Sequence, residues 1–336
     1  MKFKAIVLAP LTPAVLRTTA RYNALAVELG GDVEFHHVDS DGALDDIARA
    51  CQGAIALTTP AYRKLPSGIV NEIAARVPTL KLLQASSAGT DTFDKPGLGA
   101  LGVAVANHGG GNAVAVAEHA IALMVAVYRK LDQQIAAVRA GHWSAPITTQ
   151  PMSEFRTLVG KRVGIVGLGH IGSRIAKRLR GWECEVVYTD IETFDAGYEQ
   201  TCGASRVDLE TLLSTSDVVS LSVPLEPSTR NLVSDAQFNL MKPLAVLINT
   251  ARGPVVDEPA LIRALAAGKL FGAGLDVTQQ EPIAIDNPLL SMPNVIVTPH
   301  LATRALESEQ NIRRFVVENI VRLARGETVQ SVVKPQ

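Results

Sequence analysis

The fold of this chain is decided by Gly167-Leu168-Gly169-His170-Ile171-Gly172, which follows the apolar run Val163-Gly164-Ile165-Val166. The apolar run is typical of a buried strand, and residues 171–180 have the apolar spacing of a helix. Glycines at this junction allow a tight turn, close approach of the backbone to pyrophosphate, and close packing of helix on strand. The N-terminus of the helix adds free N–H groups and a partial positive charge. The stretch therefore predicts a dinucleotide-binding loop, with Gly167, Gly169, His170, Ile171 and Gly172 in contact with the cofactor.

The next predicted strand, 185–189, is followed directly by an acidic residue, Asp190. It lies about twenty residues beyond the loop, as the dinucleotide fingerprint requires. A carboxylate there accepts hydrogen bonds from the ribose hydroxyls and repels a 2′-phosphate. The sequence therefore predicts NAD as cofactor in preference to NADP. The alternative, that Asp190 merely begins a turn, stays open.

Short apolar runs alternate with helical patterns along the whole chain, which favours β-α-β units and parallel sheets. The first group of strands is predicted at 4–8, 33–38, 54–57 and 80–84. A long apolar helix beginning near Asn112 leads into the second group, at 163–166, 185–189, 218–223, 245–249, 272–277 and 295–297. A final helix, 305–325, is positioned to return to the first group. We expect an α/β protein of two Rossmann-like or flavodoxin-like domains, with an NAD-binding domain (112–299) inserted into a discontinuous substrate-binding domain (1–111 plus 300–336).

Composition excludes several classes of function. Lys plus Arg number 32 against 33 Asp plus Glu, so no global field favours nucleic acid. The apolar start of the chain is short, ends at Pro10 and predicts a first strand rather than a signal peptide. The three cysteines are scattered without metal-ligand spacing. We therefore expect a cytoplasmic protein with no metal site, no membrane contact and no nucleic-acid partner.

Three segments at predicted strand ends are unusually polar, and each carries a residue type that suits redox chemistry on a keto acid. They contain Arg252, Glu281 and His300 in turn. Ligands of open α/β sheets bind outside the carboxyl ends of the strands, so the three segments can converge on the cofactor. Histidine suits proton transfer near neutral pH, a neighbouring Glu stabilises imidazolium, and Arg binds carboxylate and carbonyl oxygens with a planar fork. Singly, each residue is more often structural or a solvated surface charge.

The combined motifs resemble the D-isomer-specific 2-hydroxyacid dehydrogenase family over essentially the whole chain. They are the loop 167–172 with Asp190, Asn249-Thr250-Ala251-Arg252-Gly253, Gly274-Leu275-Asp276-Val277 with Glu281-Pro282, Thr298-Pro299-His300, the connecting-helix segment 112–119, and the turn Ala88-Gly89-Thr90-Asp91.

The resemblance implies roles for individual residues. Arg252 would grip the substrate, His300 would donate or accept the proton, and Glu281 would be its acidic partner. The backbone N–H groups of Ala88 and Gly89 would bind the substrate carboxylate. Asp276 would hold the nicotinamide carboxamide. Further cofactor contacts are expected at Val223, Pro224, Thr229, Thr250, Ala251 and Ala302.

The expected function is reversible hydride transfer between NAD(H) and a small 2-hydroxy or 2-keto acid of the glyoxylate or hydroxypyruvate type. Phosphoglycerate-using relatives often carry Arg after the third strand, where this chain reads Thr58-Thr59-Pro60 and places Arg63 further on. A phosphoglycerate dehydrogenase-type activity is one alternative. An NAD(H)-sensing corepressor-like binding protein is the other, since such relatives can keep the Arg, Glu and His. The family implies a homodimer through the NAD-binding domains.

A glycine-rich segment, His108-Gly109-Gly110-Gly111, precedes the connecting helix. It resembles the oxyanion loop of some lipases and esterases, but the chain lacks the G-x-S-x-G nucleophile motif that such enzymes need. We expect the glycines to let the backbone pass close to a bound ligand, with His108 as a candidate substrate contact. The remaining histidines, His36, His37, His119, His142 and His170, have no spacing that predicts a metal site.

Overall fold

The predicted strands form two separate parallel sheets, in two compact units. The computed structural model describes residues 2–59, 65, 68–143 and 150–334. Pro60 and Arg63 lie outside these residues. So does Ser67, where the sequence pattern predicts the start of a helix that runs to residue 76. The first unit comprises Met1–Asn112 with Ala305–Gln336, and the second comprises Ala113–Arg304. These junctions fall within five residues of the domain boundaries expected from the sequence. In chain order the second unit interrupts the first.

The first unit is a five-stranded sheet in the order β2-β1-β3-β4-β5, with every pair parallel. Its strands are β1 Phe3–Ala9, β2 Val33–Asp39, β3 Ala54–Thr59, β4 Leu82–Ala85 and β5 Ala104–Ala106. Its helices are α1 Pro13–Glu28, α2 Leu44–Ala50, α3 Ile69–Arg76, α4 Lys95–Ala100 and the last helix of the chain, α12 Leu306–Ala324.

Strand β1 shows why this sheet is covered on both faces. Its side chains alternate across the sheet, so Ile6 and Leu8 pack against α2, α3 and α4, whereas Ala5 and Val7 pack against α1 and α12. Both sets are buried, which explains the continuous apolar run. The unit therefore has the three-layer architecture that the sequence predicts.

The second unit is a seven-stranded parallel sheet in the order β12-β11-β10-β9-β6-β7-β8. Its strands are β6 Arg162–Val166, β7 Glu185–Thr189, β8 Ser205–Arg206, β9 Val218–Leu221, β10 Ala245–Asn249, β11 Leu270–Leu275 and β12 Val295–Val297. Its helices are α5 Ala113–Arg129, α6 Leu131–Arg139, α7 His170–Leu179, α8 Ala196–Cys202, α9 Leu209–Thr215, α10 Asp235–Leu240 and α11 Glu258–Ala266.

Helices cover both faces of this sheet as well. One buried cluster joins α5 and α7 to the sheet through residues such as Met124 and Ile175, and a second joins α9, α10 and α11 through residues such as Leu212 and Phe238. The sequence predicts one helix boundary especially well, since Asp257 caps α11 by accepting from the N–H of Ala260 and Gly268 follows its end in the left-handed region. Two parallel-sheet α/β units are thus confirmed.

Several short elements were not predicted from the sequence. Helix α4 contains glycines and a proline in six residues, yet the side chain of Asp94 caps it by accepting from the N–H of Gly97. Helices α6 and α8 and the short strands β5 and β8 also escaped prediction, because short segments carry little periodicity. Strands β9 and β11 end two residues earlier than expected, so Asp276 directly follows β11 rather than lying within it.

The glycine-rich segment 108–111 has a packing role in the first unit. A Cβ on Gly109 would lie 2.4 Å from the Phe315 ring, and one on Gly111 would lie 3.0 Å from Ile312, both on α12. The close approach that the sequence assigned to a ligand is therefore made by a helix. No described helix is long and apolar enough to cross a membrane.

Candidate active site

Most of the predicted site residues follow strands of the second unit directly, at their carboxyl ends. Strand order reverses between β6 and β9, which is where open α/β sheets form their ligand crevice. Gly167 follows β6, and Asp190 follows β7. Thr250 and Asp276 follow β10 and β11 in the same way. The topology thus gathers these residues along one edge of the sheet.

The glycine loop after β6 fits the pyrophosphate of a dinucleotide. Gly167 has φ +94°, and a Cβ there would lie 2.8 Å from the carbonyl oxygen of Ser222. A Cβ on Gly172 would lie 1.9 Å from the carbonyl oxygen of Gly167, so only glycine lets the helix start this close to the turn. Around Gly169, by contrast, a Cβ would meet nothing within 4 Å. The first and third glycines are required by packing, and the second leaves its backbone open to a ligand.

Asp190 is partly buried beside the glycine loop. Its Oδ2 accepts from the N–H of Leu168 at 2.6 Å, and its Oδ1 accepts from the N–H of Glu192 at 2.9 Å. The first bond ties the end of β7 to the loop, and the second begins a turn, so the turn reading is right in part. Each oxygen keeps one acceptor position, which suffices for two ribose hydroxyls.

Two buried hydroxyls at the strand ends have no hydrogen-bond partner among the described residues: Ser222 Oγ after β9 and Thr250 Oγ1 after β10. Buried polar groups in native proteins are normally paired, so these two indicate a ligand at this edge. Val223 and Pro224 follow Ser222 in a segment that is neither helix nor strand. Thr229 folds that segment back, because its hydroxyl donates to the carbonyl oxygen of Pro224 at 2.7 Å.

Arg252 is positioned by the buried Asn249. The Asn249 amide accepts from the N–H of Ala251 at 3.0 Å and donates to the Arg252 carbonyl oxygen at 3.0 Å. The guanidinium donates to the Ala251 carbonyl oxygen at 2.8 Å. A Cβ on Gly253 would lie 1.8 Å from the carbonyl oxygen of Thr278, so the Arg252 loop touches the segment that leads to Glu281.

His300 and Glu281 form a hydrogen-bonded pair in the second unit. His300 Nδ1 lies 2.8 Å from Glu281 Oε2, and both side chains are partly exposed. Burial alone would raise the pKa of Glu281. The hydrogen bond and charge of His300, the N–H of Thr278 and the charge of Arg252 together bring that pKa below its ordinary value. Glu281 is therefore ionised at neutral pH, and its carboxylate holds the Nδ1 side of the His300 ring.

Asp276 organises the turn that carries His300. Its side chain is 1% exposed. Oδ1 accepts from the Thr298 hydroxyl at 2.6 Å and from the N–H of Leu301 at 3.0 Å, and Oδ2 accepts from the N–H of Ala302 at 2.8 Å. Its carbonyl oxygen accepts from the N–H of His300, whose φ is +53°. Asp276 thus has one acceptor position left, on Oδ2, for the predicted nicotinamide contact.

Sequence reasoning missed two contributors to this site. His119, on α5, lies with Nε2 3.0 Å from Thr298 Oγ1. Glu258, at the start of α11, accepts from the N–H of Gln279 at 2.8 Å and from the Asn287 amide at 2.8 Å, which fixes both sides of the Glu281 loop. Only their nearness to recognised motifs could have signalled them: His119 ends the connecting-helix segment and Glu258 follows the cap of α11.

The other predicted substrate contacts, Ala88 and Gly89, belong to the first unit. They follow β4 and are partly exposed, and the Ser87 hydroxyl donates to the carbonyl oxygen of Gly89 at 2.7 Å. His108 is 1% exposed in the same unit, so its ring is part of the packing there. Among the described residues no group of three His, Cys, Asp or Glu side chains is arranged to hold a metal ion.

Comparison with curated proteins finds many relatives. Residues 121–302 match the family described as "D-isomer specific 2-hydroxyacid dehydrogenase, NAD binding domain". The chain is 35% identical to a glyoxylate reductase of Thermococcus litoralis over 87% of this chain and 86% of that protein. It is 38% identical to a D-3-phosphoglycerate dehydrogenase of Archaeoglobus fulgidus over 78% of this chain, but it spans only about half, 49%, of that protein's length.

Solved structures agree with the sequence relatives. The apo form of Rhodotorula graminis D-mandelate dehydrogenase superposes with a TM-score of 0.85 at 29% identity, covering 99% of this chain and 98% of that chain. A glyoxylate reductase from Paecilomyes thermophila gives a TM-score of 0.84 at 27% identity, with 99% of each chain covered. The second unit, with its glycine cradle and unpaired strand-end hydroxyls, therefore binds NAD, and the chain belongs to the D-isomer specific 2-hydroxyacid dehydrogenase family.

Proposed function

We propose that this protein is an NAD-dependent D-2-hydroxyacid dehydrogenase that interconverts a small 2-keto acid and its D-2-hydroxy acid, of the glyoxylate or hydroxypyruvate type. The observation that carries the proposal is the 2.8 Å hydrogen bond between His300 Nδ1 and Glu281 Oε2, in the same unit as the NAD cradle. Relatives named glyoxylate reductase support the substrate class, for example one from Thermofilum pendens, 36% identical over 79% of this chain and 78% of that protein.

Each proposed catalytic residue performs a task that its position suits. When bound, NADH supplies the hydride that reduces the carbonyl carbon. Arg252 binds the carbonyl and carboxylate oxygens and orients the keto acid. His300 gives its Nε2 proton to the oxygen that becomes the new hydroxyl, and the Glu281 carboxylate stabilises the imidazolium that carries this proton. In the oxidative direction His300 Nε2 takes the proton back.

We assign the cofactor to the residues that the sequence suggested, with one refinement. Asp190 would bind the ribose, and Asp276 would accept from the nicotinamide amide through its remaining position on Oδ2. The N–H groups of Ala251 and Ala302 already donate to side chains of the protein, so these two residues would contact the cofactor by van der Waals packing. The other expected contacts are Gly167, Gly169, His170, Ile171, Gly172, Val223, Pro224, Thr229 and Thr250.

The substrate carboxylate is assigned to the backbone N–H groups of Ala88 and Gly89. A phosphoglycerate-type activity is the alternative substrate class, and it has support from the 38% identical D-3-phosphoglycerate dehydrogenase. An NAD(H)-sensing binding protein is the alternative of a different kind. It predicts NADH binding without turnover on any keto acid.

A homodimer is supported by an apolar helix face on the second unit that is exposed among the described residues. None of the residues of α6 is buried, and Leu131, Ile135 and Val138 project from one face of the helix. These three side chains are 38%, 49% and 52% exposed. We infer that a second copy of this chain covers them. Ile135→Glu should give the molecular mass of a monomer in light scattering. The control is Val27→Glu, a change at an exposed valine of α1, which should leave the molecular mass of the dimer unchanged.

The cellular compartment is inferred from cysteine usage. Cys51, Cys184 and Cys202 are all free thiols, which suits a reducing cytoplasm.

The test of the proposed function is NADH consumption with a panel of keto acids: glyoxylate, hydroxypyruvate, pyruvate, 2-ketobutyrate, phenylpyruvate and 3-phosphohydroxypyruvate. We expect the highest kcat/KM with glyoxylate or hydroxypyruvate. A preference for 3-phosphohydroxypyruvate would favour the phosphoglycerate alternative. NADH binding by calorimetry together with no turnover on any acid would favour the binding protein.

A further inference from the structure

We propose that His119 is a positioning residue for catalysis: its imidazole holds the turn that carries His300, acting through Thr298 and Asp276. The kinetic part of this inference rests on the proposed dehydrogenase function. No motif assigns a task to His119, and the geometry around it is the reason to give it one.

The hydrogen bonds around Thr298 fix where the protons lie. The Thr298 hydroxyl has one proton, and it donates that proton to Asp276 Oδ1 at 2.6 Å, an oxygen that also accepts from the N–H of Leu301. The contact of 3.0 Å between His119 Nε2 and Thr298 Oγ1 therefore needs a proton on His119 Nε2. The chain of donation runs from His119 to Thr298 to Asp276.

The same carboxylate holds both ends of the His300 turn. It accepts from the N–H groups of Leu301 and Ala302, and the carbonyl oxygen of Asp276 accepts from the N–H of His300. His300 itself sits at φ +53°, a region that a non-glycine residue adopts only when its surroundings hold it there. A change in the orientation of Asp276 would therefore displace the backbone at His300.

His119 supplies a fixed donor that no other described side chain supplies to Thr298. Its side chain is 28% exposed, and its Nε2 also lies 3.6 Å from Asp276 Oδ1. With the donor in place, the Thr298 hydroxyl can accept only from His119 and points its proton at Asp276. Without the donor, that hydroxyl can rotate towards water, and the His300 turn loses one of its constraints.

The test compares His119→Phe, which keeps a planar ring without a donor, with His119→Gln, whose amide N–H can replace Nε2–H. We expect His119→Phe to lower kcat about fivefold to tenfold, the effect of one lost hydrogen bond. The Kd for NADH should change less than kcat does, because most of the proposed cofactor contacts, including the glycine loop and Asp190, lie elsewhere on the sheet and only Asp276 and Ala302 belong to this network. His119→Gln should recover most of the lost kcat. His36→Gln, at an exposed histidine of β2, is the matched control.

A double-mutant cycle with Thr298→Val tests the path. If His119 acts through Thr298, the double variant should be no slower than Thr298→Val alone. Simple multiplication of the two losses would overturn the proposed path. Equal loss in His119→Phe and His119→Gln, with a lower Tm in both, would reduce His119 to a packing residue.

A substrate-free measurement separates this inference from the proposed function. In histidine-labelled protein, the NMR resonances of the His300 ring should move in His119→Phe and return in His119→Gln, whether or not any keto acid is turned over. Unmoved His300 resonances in His119→Phe would overturn the inference. Moved resonances in a protein that reduces none of the keto acids would keep the network and sink the dehydrogenase proposal alone.

Discussion

The glycine loop after β6 and the His300 turn after β12 lie in the same unit but are built by opposite means. The loop 167–172 keeps its shape because Gly167 and Gly172 have no side chain, since a Cβ at either position would collide with backbone. The turn 298–302 keeps its shape because the buried carboxylate of Asp276 accepts hydrogen bonds from it. The loop can therefore be recognised from its own glycine spacing, whereas the turn depends on side chains far apart in the chain.

The largest expected effect is a loss of turnover that leaves cofactor binding nearly unchanged. His300→Ala should lower kcat about 10²–10⁴-fold, the usual contribution of a positioned acid or base, while the Kd for NADH changes by less than about threefold. Stopped-flow kinetics and calorimetry measure the two quantities. Retention of near-normal turnover would remove His300 from its proposed role.

The reverse separation comes from the glycine loop. In Gly172→Ala the new Cβ would start 1.9 Å from the Gly167 carbonyl oxygen, so the loop must shift. Such a shift moves backbone N–H groups away from the pyrophosphate, so NADH binding should weaken roughly 100-fold, the value of one or two lost hydrogen bonds to a charged group. Gly181→Ala is the control, because a Cβ there meets nothing within 4 Å. Equal affinity in both variants would contradict the packing explanation.

A smaller effect is expected at the edge of the loop. Asp190→Ala removes the carboxylate that we assign to the ribose, so the preference for NADH over NADPH should fall roughly tenfold, the value of a charge-assisted hydrogen bond. The ratio of kcat/KM for the two cofactors measures it. Glu192→Gln, at a neighbouring exposed acid, should leave the ratio unchanged. If the parent protein already prefers NADPH, the assignment of Asp190 is wrong.

The smallest effect is a shift of the pH profile. The pKa of Glu281 is lowered in the fold, so its stabilising contact with His300 is fully present above the ordinary value of 4.5 and is lost only as pH falls through the lowered value. Glu281→Gln removes this charge at every pH, so an imidazolium at His300 loses its anionic partner. In keto-acid reduction the alkaline fall of kcat should move to lower pH by about one unit or less. An unchanged profile would argue against the pair.

The two regions also differ in how far the sequence predicts them. The glycine spacing and the apolar run before it were enough to predict the loop and its helix, because both depend on neighbours in the chain. The contact of His119 with Thr298 could not be predicted, since it depends on how α5 packs beside the end of β12. The glycines at 109 and 111 show the same limit: their spacing revealed a close approach, and only the structure identified α12 as the element approached.

The contact between Gly253 and the Thr278 carbonyl oxygen has a consequence for engineering. An added Cβ would lie 1.8 Å from that oxygen, so the backbone segments 249–253 and 276–281 pack directly against each other with no room for a side chain between them. Exchanging either segment alone with that of another enzyme would displace Arg252 from the His300–Glu281 pair. Loop grafting aimed at new substrates should therefore exchange the two segments together. Further mutations should be introduced only at positions outside them.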